Sequence, residues 1–89
     1  MDQAWGYVTT VLDGDTFDFD VDSVSGDNQF EYKDIERVRV RGVDAPELGR
    51  RGSRTATARL RALVGGQRIG IRIHARDTYG RLIADLVDA

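Results

Sequence analysis

The sequence predicts a small, mainly β protein: a five-stranded barrel carrying one short helix. Three observations carry the prediction. Apolar residues alternate with polar ones at strand period in three segments, one stretch of helical period falls between the second and third of them, and 89 residues leave room for a single core. The first strand runs from Ala4 to Leu12, where Trp5, Tyr7, Val8, Thr9, Thr10 and Val11 suit a strand buried on both faces. Asp13-Gly14 marks a turn. From Thr16 to Asp22 the alternation is strict, with Phe17, Phe19 and Val21 on one face and Asp18, Asp20 and Asp22 on the other. Ser25 to Asn28 supplies turn residues for a hairpin into a third strand, Phe30 to Val43, in which Val38 and Val40 alternate with Arg37, Arg39 and Arg41. Gly42 and Val43 break that pattern and predict a bulge or bend. The helix is expected from Arg54 to Val64, capped by Ser53, with Ala56, Leu60, Leu63 and Val64 on its inner face and Gly65-Gly66 as its stop. Ile69, Ile71 and Ile73 then alternate along a fourth strand, and Leu82 to Val87 forms a fifth after the Tyr79-Gly80 turn. The order β-β-β-α-β-β, in short antiparallel strands with the helix before the fourth, fits a barrel of OB type spanning residues 1–89 as one domain.

Composition narrows the functional classes. Hydrophobic residues at 40%, charged residues at 31% and a net charge of −2 are globular values and exclude a disordered chain. The absence of cysteine excludes a disulfide framework, thiolate zinc sites and thiol nucleophiles. No apolar run exceeds three residues, as at Ala62 to Val64, so neither a signal peptide nor a membrane-spanning helix is expected, and no membrane partner. The charge itself is divided. Residues 1–38 hold ten acids against Lys33 and Arg37, a net −8, whereas residues 39–81 hold eleven arginines against Asp44, Glu47 and Asp77, a net +8. Such a field draws a polyanion to one face, while pairing between the two halves accounts for the same numbers.

Three clusters carry residues of chemical interest: Asp13-Gly14-Asp15-Thr16 entering the second strand, RVRGVDAPE from Arg39 to Glu47, and DTYGR from Asp77 to Arg81. Taken singly, each reads as a turn or a solvated loop. Asp15 shares parity with Phe17, Phe19 and Val21, and a carboxylate on the inward row needs a cation or strong donors at the barrel mouth. Pro46 holds Ala45 extended. His74 falls opposite the isoleucines of its strand and reads as a solvated residue without a role.

DGDT, RVRGVDAPE and DTYGR, in this order along one small barrel, resemble the staphylococcal nuclease family of thermonuclease-like domains, over roughly Tyr7 to Val87. The resemblance implies a calcium-dependent endonuclease acting on DNA or RNA, hydrolysing the 5′ P–O bond to leave 3′-phosphate ends. It implies calcium ligation by Asp15, Asp44 and the main-chain carbonyl of Ala45, where the family often has threonine. It further implies Glu47 as general base or orienter of the attacking water, Arg39 and Arg81 on the scissile phosphate, Asp13 as support behind the ligands, and Tyr79 against the nucleotide. Strand parity alone groups Arg39 with Arg37 and Arg41, and it is the resemblance that singles out Arg39. Three carboxylates about 5 Å apart would repel pairwise by roughly 3 kcal/mol at an effective dielectric of 20, which a hard divalent cation with oxygen ligands would relieve. The chain departs from the family in three respects. It lacks the family's C-terminal helices, its loop from Leu48 to Ser53 is short, and Thr78 stands where lysine is familiar. Barrel surface without those helices is expected to favour a homodimer. The alternative is an inactive nuclease-like module that binds nucleic acid or a protein partner as a scaffold.

Overall fold

The computed structural model describes residues 1–87. Five strands, β1 (Asp2–Val11), β2 (Thr16–Val24), β3 (Ile35–Val40), β4 (Arg68–Arg76) and β5 (Leu82–Val87), with one helix, α1 (Ser53–Val64), follow in the expected order β-β-β-α-β-β. The strands close into a barrel in the order β1-β2-β3-β5-β4, the OB-type architecture. The expectation of antiparallel strands throughout is corrected at one seam, where β3 and β5 pair parallel through Val38–Leu82, Arg39–Ile83 and Val40–Ala84. The reason is topological. Strand directions cannot alternate around a closed ring with an odd number of strands, so one pair must run parallel.

The alternating positions fill the interior. Phe17, Phe19, Val38, Ile71, Leu82 and Ala84 are fully buried, and the two phenylalanine rings meet edge to face at 5.9 Å. Helix α1 closes the barrel with Ser53, Thr57, Leu60 and Val64, a stripe at helical spacing, and Gly65 forms an isolated bridge to Val8 of β1. Burial of Leu60 and Val64 contributes about 1.5–3 kcal/mol each. Among the described residues no helix is long and apolar enough to cross a membrane.

Several local expectations are corrected. Strand β1 is buried on one face only, at Asp2, Ala4 and Gly6, while Tyr7, Thr9 and Thr10 are exposed. Strand β3 starts at Ile35 rather than Phe30. The preceding segment is drawn away from the ladder because the buried carboxylate of Asp2 accepts the N–H groups of Gln29 (2.8 Å) and Phe30 (3.0 Å) and the Tyr32 hydroxyl (2.6 Å). The strand ends at Val40, and the predicted bend is a turn with Gly42 at φ 79°. Helix α1 begins after a left-handed Gly52 (φ 86°), which takes the cap position without a side-chain cap bond, and Ser53 is the first residue of the helix rather than its cap. Leu63 lies on the flank of the helix and is exposed, and Thr57 takes the inner position, donating its hydroxyl to the Ser53 carbonyl at 2.8 Å. His74 is the extra residue of a bulge in β4. It is half-buried, with Nε2 2.7 Å from Asp85 Oδ2, rather than freely solvated.

Candidate active site

The β1–β2 turn delivers Asp15 to the barrel mouth. Its main-chain carbonyl accepts the N–H of Val40 at 2.7 Å, which ties the turn to the end of β3, and its backbone N–H donates to Asp13 Oδ1 at 3.0 Å. The Asp15 carboxylate is buried, as its parity with Phe17 and Phe19 predicts. Thr16 donates its hydroxyl to one oxygen at 2.7 Å, and the other receives the Ala45 N–H at 3.2 Å and a long hydrogen bond from Arg39 Nη2 at 3.5 Å. Burial alone pushes the Asp15 carboxyl upward, but hydrogen bonds from Thr16, Asp13 and Ala45 and the charge of Arg39 outweigh it and hold it below the ordinary carboxylate value. Burial, together with the neighbouring Asp15 charge, drives Asp13 the other way. Asp13 is therefore the member of the pair that more readily carries a proton, consistent with a supporting place behind Asp15.

Arg39 reaches across the mouth. The same Nη2 that approaches Asp15 lies 3.3 Å from Asp44 Oδ1, so one guanidinium is shared by the two carboxylates expected to bind a cation. The side chain of Asp44 is fully exposed. This arrangement answers the parity problem on β3. Arg39 sits opposite Thr16 at the end of the β2–β3 ladder, beside the turn, whereas Arg37 is held further along by Asp18 at 2.9 Å and Arg41 by Asp85 at 3.0 Å.

Gly14 explains how the clusters meet. A β-carbon there would lie 2.6 Å from Ala45 Cβ and 2.5 Å from Ala56 Cβ, so the glycine lets the turn, the Asp44–Ala45 loop and helix α1 touch. Asp13-Gly14 lies in the β1–β2 turn as expected, and because the φ of Gly14 is not positive, close approach rather than turn geometry requires glycine there. Gly14→Ala is expected to destabilise the domain by about 1–3 kcal/mol through overpacking and to displace the Ala45 loop from Asp15. A urea melt together with amide shifts at Asp15 and Ala45 checks this, and an unshifted Ala45 would count against the role of this close approach.

The second part of the site is a cleft of about 360 Å³ lined by Leu12, Asp13, Thr16, Arg37, Tyr79 and Arg81. Asp77 organises its β4–β5 rim, accepting the backbone N–H groups of Tyr79 (3.0 Å) and Arg81 (2.8 Å) and Arg81 Nε (2.7 Å). Neither Nη of Arg81 donates to a described residue, and its guanidinium lies 5.4 Å from the centroid of the Tyr79 ring, which is 84% exposed. Asp13 and Thr16 belong to this cleft and also bond Asp15, so the cleft and the Asp15–Arg39–Asp44 cluster share a wall.

Asp13, Asp15, Arg39, Asp44 and Ala45 are thus brought together, and Tyr79 and Arg81 join them across the Asp13–Thr16 wall. Glu47 is not drawn in by any side-chain hydrogen bond. It is exposed, and its carbonyl accepts the Arg50 N–H at 2.9 Å. Among the described residues no three acidic or imidazole side chains form a metal-holding group. The donors that do meet, two carboxylates sharing one cationic group beside the Ala45 backbone, are all oxygen and chemically suit a hard divalent ion. Sequence reasoning missed Arg37 and gave no role to Thr16 and Asp77, although both lie in clusters it singled out. The first was signalled by its parity with Arg39, whereas the other two depend on contacts that no spacing reveals.

Fold and site together define a closed OB-type barrel whose mouth joins a held carboxylate to a cationic cleft. No family model matches the chain. Over 81 residues, 91% of its length, it is 32% identical to proteins named "Uncharacterized endonuclease" from Escherichia coli and Escherichia coli O157:H7. It covers 46% of those proteins, so it spans about half their length. Over 50 residues, 56% of the chain, it is 38% identical to "Probable staphylococcal-like nuclease CAN3" from Oryza sativa subsp. japonica, of which it covers 13%. Its relatives therefore carry nuclease names.

Proposed function

We propose that this chain is a staphylococcal-nuclease-like domain and that it hydrolyses phosphodiester bonds of DNA or RNA in a calcium-dependent manner, cutting the 5′ P–O bond to leave 3′-phosphate ends. The observation that carries this reading is the meeting of Asp15, Asp44 and Arg39 beside a cleft that presents Arg81 and Tyr79. The nuclease names of its relatives support it. Asp15, Asp44 and the Ala45 carbonyl would hold the ion, which, when bound, supplies positive charge at a phosphate oxygen and helps position water. The free Nη groups of Arg81 and the guanidinium of Arg39 grip the phosphate oxygens in fork geometry and meet the charge that develops in the transition state. Glu47, with no side-chain partner to hold it, takes a proton from the attacking water as the water oxygen bonds to phosphorus, while the P–O5′ bond breaks and the departing 5′ oxygen takes its proton from a solvent water. Tyr79 packs against the nucleotide.

A second reading has its own support. Arg39 already lies between Asp15 and Asp44 and offsets one of their two charges, and Glu47 is not engaged, as expected of an inactive module that binds nucleic acid or a protein as a scaffold. Digestion of plasmid and of single-stranded RNA separates the two. Cleavage is expected with calcium, abolished by chelator, and reduced about 10²–10⁴-fold in Glu47→Gln. Cleavage that persists in chelator and in the variant would remove the proposed site, and binding without cleavage would leave the scaffold.

A further inference from the structure

The arginines divide into two populations. Arg37, Arg39, Arg41, Arg68, Arg76 and Arg81 each pair with a carboxylate. Arg72 on β4 and the five arginines Arg50, Arg51, Arg54, Arg59 and Arg61 are all exposed and form no ion pair among the described residues. These five fall within twelve consecutive residues, and the chain has no acid between Glu47 and Asp77. The pairing of the two oppositely charged halves is thus real but partial, and of the six arginines it leaves over all but Arg72 are gathered on α1 and the loop before it. Five unneutralised like charges in so short a stretch create a local positive potential despite the net −2 of the chain.

The position of this face matters as much as its charge. The contact of Ala56 with Gly14 seats the first turn of α1 against the Asp13–Asp15 turn, and Arg59 lines a groove of about 350 Å³ together with Asp44 and Ala45. The helix therefore lies alongside the candidate active site, with Ala56, Arg59, Leu60 and Leu63 lining the same groove as Asp44 and Ala45. At about 1.5 Å per residue its twelve residues span roughly 18 Å. That is about five phosphates of one duplex strand at about 3.4 Å each. At 100° per residue, Arg54 and Arg61 share one flank and Arg59 takes the other, with Thr55, Ala58 and Ala62 between them. Those small side chains leave a backbone room to approach, and between the arginines there is no aromatic or large aliphatic anchor of the kind that dominates protein–protein contacts, the exposed Leu63 lying outside them beyond Arg59.

We infer that the arginine face of α1, with Arg50 and Arg51, is a second nucleic-acid contact surface, one that holds the phosphate backbone flanking the nucleotides in the candidate active site. The inference rests on the nuclease reading and deepens it: the substrate is a polymer, bound without base readout, rather than a short oligonucleotide.

The test is binding of the whole chain to a fluorescent 20-bp duplex and to a trinucleotide, in chelator, between 50 and 200 mM salt. Arg54→Gln/Arg59→Gln/Arg61→Gln is compared with the corresponding triple lysine variant. Each phosphate interaction removed lowers the salt slope by about 0.9, so the glutamine variant is expected to lose about 2 to 3 from the slope and about tenfold or more in duplex affinity at low salt. Trinucleotide affinity is expected to stay the same, and lysine is expected to restore the slope. Wild-type slope and affinity in the glutamine variant, or no duplex binding by the wild type, overturns the surface. Polyglutamate of equal charge binding as tightly as duplex also overturns it, in favour of an acidic protein partner. A parallel calcium digestion distinguishes the two ideas: cleavage with an unaltered salt slope removes only the α1 surface, whereas an α1-dependent slope without cleavage removes only the nuclease reading.

Discussion

Arg39→Gln is expected to slow phosphodiester cleavage by about 10²–10³-fold while leaving the fold intact, the usual cost of losing one donor aimed at transition-state charge. Glutamine keeps a polar amide on a shorter side chain but neither the charge nor the fork. Lysine is expected to recover little, because a point charge cannot give two parallel hydrogen bonds to a phosphate. The fold is spared because Asp15 keeps its hydrogen bonds from the Thr16 hydroxyl and the Ala45 N–H, while the hydrogen bond that the substitution removes from Asp15 is the long one at 3.5 Å. Single-turnover rates beside a thermal melt check both halves of the expectation. A rate within threefold of wild type at an unchanged melting temperature would remove Arg39 from the chemistry.

The largest expected effect on stability lies far from that chemistry. Asp2→Ala removes the acceptor shared by the Gln29 and Phe30 N–H groups and the Tyr32 hydroxyl. Asp2 is 2% exposed, so water does not readily replace it. Leaving these donors unpaired is expected to cost about 3 kcal/mol or more, a large part of the roughly 4–13 kcal/mol expected for a domain of this size. A urea melt should show a lower midpoint at a similar slope. The pH dependence follows. Burial pushes the Asp2 carboxyl upward, but the Tyr32, Gln29 and Phe30 hydrogen bonds outweigh burial and hold it below the ordinary carboxylate value. Its contribution is therefore complete above that ordinary value and is lost as pH falls through the lower folded one. The acid limb of the stability profile should be shallower in Asp2→Ala than in wild type, and identical limbs would remove the carboxylate from the account.

Much of the barrel was legible in the alternation. Phe17 and Phe19, Val38 and Val40, and Ile69, Ile71 and Ile73 all face inward as period two requires. Boundaries were less legible where a distant group competes for the backbone. The residues before Ile35 alternate well enough to suggest strand, but Asp2, from the far end of the sequence, takes the N–H groups of Gln29 and Phe30. Leu63 reads as a core residue because it is apolar and near the helical stripe, yet the stripe is centred on Thr57, Leu60 and Val64.

What the amino-acid sequence determined by itself was local: strand and helix periods, their order, the inward parity of Asp15 and the arginine-rich stretch without acids. Periodicity is written in neighbouring residues, so neighbouring residues suffice to read it. Only the tertiary structure decided that β3 and β5 run parallel, that Arg39 rather than Arg37 meets Asp15 and Asp44, that Gly14 is a point of close approach, and that Arg50 to Arg61 keep their charge unpaired. Each of these depends on which atoms from remote segments come within a few ångströms of one another, and that is set by closure of the barrel as a whole.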